Sequence, residues 1–151
     1  NDIWNTNDQF RYAYQKLNTD FSFSIKIDSL YNVHQYAKAG LMIRKSLNSN
    51  SAHGLINMFP SGNTEFGYRT NNGETMEAKS GPQIDLTDAR LKIKKSGKIV
   101  EFFVLSSNDW QKLGELNVSK WGKSFYVGIA TLSHDNSQLT KAQYSEIVLT
   151  N

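Results

Sequence analysis

Cysteine is absent from the 151 residues, which excludes disulfides and thiolate metal sites. Only two prolines occur, Pro60 and Pro82, so neither end reads as a proline-rich linker. No apolar run approaches the ~20 residues that a membrane-spanning helix needs, and no membrane insertion is expected. A strong charge of one sign is missing too. The formal net charge is +3, and the only dense basic group, Lys92, Lys94, Lys95 and Lys98, straddles a turn. Nucleic-acid surfaces gather their charge into one stripe or patch, so this group reads as a solvated hairpin end and no nucleic-acid partner is expected. No segment repeats apolar residues at i, i+3, i+4 and i+7, the mark of an amphipathic helix. The chain opens on Asn1 without a signal peptide, and reads as a mature module taken from a longer polypeptide.

What is present repeats with a period of two. Phe21, Phe23, Ile25 and Ile27 alternate with Ser22, Ser24, Lys26 and Asp28, the pattern of a half-buried strand. Phe10, Tyr12 and Tyr14 alternate in the same way. Leu91 and Ile93 lead into a turn at Ser96-Gly97, and Val100, Phe102 and Val104 lead out of it, a hairpin signal. Further strands are expected over 64–70, 112–118, 124–133 and 141–149. Two more runs, 36–46 and 51–60, are each interrupted by a glycine, Gly40 and Gly54. Glycine weakens a strand and sits where a bend or a close approach needs space, so the pair suggests a curved sheet with a shallow hollow. Hydrophobic content of 38% in 151 residues suffices for one core, so residues 1–151 are expected to form a single β-sandwich module. The expected class is all-β, antiparallel, with a sandwich, jelly-roll or barrel architecture.

Several blocks carry a resemblance. They are Asp2-Ile-Trp4 with Asp8-Gln-Phe-Arg-Tyr12, Ala37-Lys-Ala-Gly-Leu-Met-Ile-Arg44, Ser51-Ala-His53, Phe66-Gly-Tyr-Arg69, Tyr126-Val-Gly-Ile-Ala130 and Ser133-His-Asp-Asn136. In this order they resemble the concanavalin A-like, laminin-G-like jelly-roll modules appended to secreted bacterial glycoside hydrolases. The resemblance spans nearly the whole chain. It implies two stacked antiparallel sheets, one convex and one concave, and a frequent role in binding carbohydrate. Relatives carry a longer Asp-Gly-x-x-Trp hairpin tip; here it is shortened to Ser106-Ser-Asn-Asp-Trp110.

The carboxylates give no sign of catalysis. Concanavalin-like glucanases present acid and nucleophile from a Glu-x-Asp-x-Glu strand, and no such triplet occurs here. His34, His53 and His134 form no i, i+2 or i, i+4 ligand pair, and His53 reads as a structural residue. The Asp135-Asn136 and Asn5-Thr-Asn-Asp8 turns offer oxygens of the kind Ca²⁺ takes, or serve as ordinary Asx turns; the second reading is preferred, and no cofactor or metal is expected.

Sugar recognition combines stacking on aromatic rings with multi-donor hydrogen bonding, which suits arginine. Arg44 follows Gly40 and Met42 on one strand face, and Arg69 follows Gly67 on another, so the two are expected to share a hollow. The alternative for Arg44 is an inward ion pair with Glu65 or Glu101. Tyr68, Trp110 and Tyr126, with Trp121, are candidates for a stacking wall, and Asn57 joins Arg44 and Arg69 as a candidate ligand-binding residue. Trp4 is expected to cap the sandwich edge. Together these readings predict a non-catalytic carbohydrate-binding module, secreted or at the cell surface, that targets a linked catalytic domain to a glycan. The alternative is a structural module that packs on such a domain and binds no sugar.

Overall fold

The period-two runs assemble into two antiparallel sheets stacked face to face. In a computed structural model describing all residues, Asn1–Asn151, the five-stranded sheet has the order β11 (Asp109–Asn117), β10 (Ile99–Ser106), β9 (Ala89–Ser96), β4 (Phe21–Leu30), β13 (Ala142–Thr150). The six-stranded sheet runs β3 (Arg11–Leu17), β12 (Phe125–Leu132), β5 (Lys38–Arg44), β6 (His53–Met58), β7 (Thr64–Arg69), β8 (Glu77–Ser80). A small hairpin, β1 (Ile3–Trp4) with β2 (Asn7–Asp8), precedes them. The only helical element is a 3₁₀ turn at Leu86–Asp88, capped by Asp85.

The main core lies between the sheets. Register pairs Phe23 with Ile93 and Ile25 with Leu91, so the apolar half of each alternation lands on one face. Each such Phe, Ile or Leu contributes about 1.5–3 kcal/mol on full burial. Two aromatic–glycine contacts fix how closely the sheets meet. A Cβ on Gly54 of β6 would stand 2.4 Å from the Phe102 ring of β10, and one on Gly114 of β11 would stand 2.4 Å from the Phe66 ring of β7. Phe66 and Phe102 pack together between them, with centroids 4.6 Å apart. Gly54 therefore faces the opposing sheet, not the expected hollow; Gly40 lies on the other face, paired with Asn57.

The two hairpin turns follow their residues. Ser96 pairs with Ile99, which places the first turn at Gly97-Lys98, one residue later than expected, with Gly97 at φ +60°. Ser107 and Asn108 both adopt positive φ, as a type I′ turn requires, and β11 thus begins at Asp109 rather than 112.

Strands β5 and β6 are buried along their whole lengths, whereas β4 alternates. The β1–β2 hairpin is the cause. It crosses the outer face of the six-stranded sheet, and Ile3 packs with Met42, Leu55, Met76, Ala130 and Leu132 in a second, smaller core. Covering both faces turns an alternating strand into the continuous run Ala-Gly-Leu-Met-Ile.

Candidate binding site

Arg44 and Arg69 do meet on that outer face, and they meet on Asp8. Arg69 grips both carboxylate oxygens at 2.7 and 2.9 Å, and Arg44 reaches one of them at 2.8 Å. Neither arginine exposes more than 1% of its surface. The remaining donors of Arg69 go to the carbonyls of Glu74, Ser51 and Asn5 at 2.8–3.0 Å, so all five are spent on the protein. Arg44 also donates to the carbonyls of Ser46 and Asn48. The sequence-based expectation of an open hollow is thus corrected: Asp8 fills it, and neither arginine presents a surface to a ligand. The carboxylate partner is Asp8, not Glu65 or Glu101. His53 lies against the same carboxylate, 3.6 Å away, and its Nδ1 sits 3.2 Å from the Ser51 carbonyl. Burial drives its pKa down to about 3, so it is neutral and leaves the arginines as the only cations in the cluster. This cluster latches the hairpin to the sheet.

Beyond the latch, the same face opens into a cleft of about 940 Å³. Its walls carry three aromatic side chains, Trp4, Tyr36 and Phe59, and the polar groups Asp2, Lys38, Glu65, Ser80 and His134. Trp4 is 40% exposed and Tyr36 50%, so both rings present a face to solvent. Trp4 lies on β1 and therefore lines the cleft instead of capping the sandwich edge. Asp2 is engaged mainly through one oxygen. One of its oxygens pairs with the Lys38 ammonium and accepts the Ile3 amide at 2.8 Å, while the other faces His134 Nε2 at 3.1 Å. Lys38 Nζ also stands 5.7 Å from the Trp4 ring centroid. The His134 ring stacks on His34 with centroids 4.5 Å apart, and Tyr36 leans on both rings. Glu65 has no ion pair; burial pushes its carboxyl upward more than Lys38 pulls it down. Asn57 lies beside Glu65 in register, fully buried, and neither of its amide atoms has a partner.

The other expected residues scatter. Tyr68 points to the opposite face of β7, where its hydroxyl donates to Glu77. Trp110 sits on the five-stranded sheet, its ring over Lys92 Nζ at 4.4 Å. Trp121 is buried in the main core. Tyr126 shares the outer face with Arg44 but lies at the far side of the latch, edge-on to Tyr14. No stacking wall brings these rings together. Of the expected site residues only Asn57 adjoins the cleft. The turn carboxylates are accounted for as well: Asp8 holds the arginines, and Asp135 accepts from the amide and hydroxyl of Ser137, an Asx turn.

No family model and no curated protein matches the chain. Solved structures match it along most of its length. A functionally unknown protein from Saccharomyces cerevisiae superposes with a TM-score of 0.74 at 14% identity, over 99% of this chain and 82% of that one. A legume lectin-like domain from Entamoeba histolytica does so with a TM-score of 0.64 at 12% identity, over 97% and 81%. The carbohydrate binding module CBM66 from Bacillus subtilis gives 0.56 at 16% identity, over 92% and 78%. The fold is a concanavalin A-like jelly roll. Galectins and a β-glucanase share this jelly roll, so the fold alone does not choose between binding and catalysis, and the site has to.

Proposed function

We propose that this jelly roll is a non-catalytic carbohydrate-binding module that holds a sugar in the Trp4–Tyr36–Glu65 cleft and targets a linked enzyme to its glycan. The observation that carries the reading is the cleft itself, where two exposed aromatic rings stand beside the unpaired Glu65 carboxylate, with the unpartnered Asn57 amide buried next to it. A sugar needs both: C–H faces stack on rings, and hydroxyls pair with amide and carboxylate groups. Lectin and carbohydrate-binding structures of the same fold support the reading at the level of ligand class. A hydrolase needs two working carboxyls, an acid and a nucleophile or base. Here one Asp2 oxygen is already held by the Lys38 ammonium and the Ile3 amide, and Glu65 is the cleft carboxyl without a partner. Binding in an open, wet cleft exchanges water hydrogen bonds for protein ones, so the affinity is modest and linkage to a second domain supplies residence time. Secretion or surface attachment accompanies this reading.

The test is a broad glycan array run on the isolated chain beside analytical ultracentrifugation. The expected result is a monomer with a dissociation constant between tens of micromolar and millimolar, about −4 to −6 kcal/mol. A blank array with self-association would favour the second reading, a contact module that binds no sugar. One feature favours that alternative. Ile147 and Val148 are more than half exposed on β13, an edge strand bulged at Glu146 with φ +48°.

A further inference from the structure

The polar groups of the cleft carry information about which sugar fits. Asn57 is completely buried with both amide atoms unpaired, and leaving such a group unpaired costs about 1–3 kcal/mol. Its strand neighbours Ile56 and Met58 turn into the main core, so its own side chain lies on the outer face of the sheet, beside the cleft but not among the residues that line it. Directly across on β7 is Glu65, a cleft-lining carboxylate with no hydrogen bond and no cation within ion-pair range. Lys38, the cation that acts on it, donates to Asp2 instead. The cleft therefore sets two carboxylates against one ammonium, within a chain whose formal charge is +3. Its aromatic walls suit the same sign of ligand charge. Ring faces attract ammonium groups, and Lys38 Nζ already takes up that position over Trp4. Tyr36 meets Phe59 edge-on at 6.0 Å and leans on His34 and His134, yet half of its surface stays exposed.

We infer that the cleft selects a sugar bearing a protonated amine, a glucosamine-type residue of a basic polysaccharide. The inference rests on the sugar-binding reading above. The ammonium pairs with Glu65, the ring lies against Trp4 and Tyr36, and a hydroxyl reaches Asn57 through a bridging water. A neutral sugar offers Glu65 hydroxyls but no charge. A uronic acid is repelled by Glu65, the cleft carboxylate that has no cation paired with it. N-acetylation removes the charge on the amine, and a linear polyamine brings charge without a ring to stack.

The experiment is calorimetric titration of the chain at about pH 6 and again at about pH 7, because burial raises the Glu65 carboxyl above its ordinary value. Four probes are compared: short oligomers of glucosamine, of N-acetylglucosamine and of glucose, and spermidine. Glucosamine oligomers are expected to bind at least ~10-fold tighter than glucose oligomers, equivalent to about 1.4 kcal/mol, and to weaken with added salt. Glu65→Gln is expected to erase that preference without moving the melting temperature. Equal affinity for glucosamine and glucose oligomers, or tighter binding of the N-acetylated form, overturns amine selection and leaves sugar binding standing. Spermidine binding as tightly as glucosamine oligomers overturns the role of the ring. Silence with every oligosaccharide, together with a blank array, removes both readings. Should Glu65→Gln not fold, the wild-type comparison of the four probes still decides.

Discussion

Two charged clusters share the outer face of the six-stranded sheet, and they are finished in opposite ways. Around Asp8 both arginines are sealed from solvent, and Arg69 spends its five donors within the protein. Around Glu65 a carboxylate stands without an ion pair, an amide has no partners, and two aromatic rings face water. A polar group whose bonds are all made internally belongs to the scaffold. Groups left unmade beside open volume are where outside chemistry is received. By this criterion the arginines, chemically the better sugar ligands, hold the hairpin down, and the humbler Asn57–Glu65 pair is placed to meet a ligand.

The largest effect is expected at the latch. Asp8→Ala orphans two buried guanidinium groups and should cost ~3–5 kcal/mol in urea denaturation, as should Arg69→Ala, which leaves Asp8 with one partner fewer. Either loss confined to binding, with normal stability, would reverse the assignment of the two clusters.

Acid should act on the same half. His53 has its folded pKa near 3, below the ordinary value of about 6.5, so the unfolded chain takes up the proton first. Its contribution is complete above pH ~6.5 and is lost as pH falls toward 3, at up to about 1.4 kcal/mol per pH unit. Denaturation measured across that window should show this slope, and His53→Gln should flatten it.

Smaller changes in stability are expected in the open half. Asn57→Leu replaces an unpaired buried amide by an apolar group of similar size, so stability should hold or rise by up to ~1 kcal/mol while sugar affinity falls. Trp4→Ala removes a ring that is 40% exposed and should cost under ~1 kcal/mol in stability, yet weaken sugar binding by at least ~10-fold. A melting drop at Trp4 as large as that at Asp8 would erase the distinction between the halves.

Much of this was legible in the sequence, and the misses have physical causes. Period-two alternation located β4, β9 and β10, because half-buried strands must alternate. It also put Gly40, Met42 and Arg44 on one face, and Gly67 and Arg69 on another that the sheet brings alongside. The partner was not legible. Asp8 lies 36 residues from Arg44 and 61 from Arg69, on a two-residue strand with no periodicity, and it reads as a turn carboxylate. Tyr68 and Trp110 were separated from the arginines by facts of register that composition does not carry. Lys38 was within reach: the same alternation that runs from Gly40 to Arg44 runs back through Lys38 to Tyr36. Glu65 follows once β6 and β7 are paired, since the register matching His53 with Arg69 also matches Asn57 with Glu65. Trp4 and His134 sit on a short hairpin and a loop, where no repeat marks them.

Three tryptophans lie in three different places, Trp4 in the cleft, Trp110 on the far sheet and Trp121 in the core. Their indole N–H signals in a ¹⁵N–¹H correlation spectrum therefore report on each site separately. Titration with the tightest-binding glycan from the array should shift the Trp4 indole, together with the amides of Lys38, Asn57 and Glu65, and leave Trp110 and Trp121 unmoved. Saturable shifts centred on Trp110, or on Tyr14 and Tyr126 beyond the latch, with Trp4 unchanged, would contradict the assignment of the sugar to this cleft.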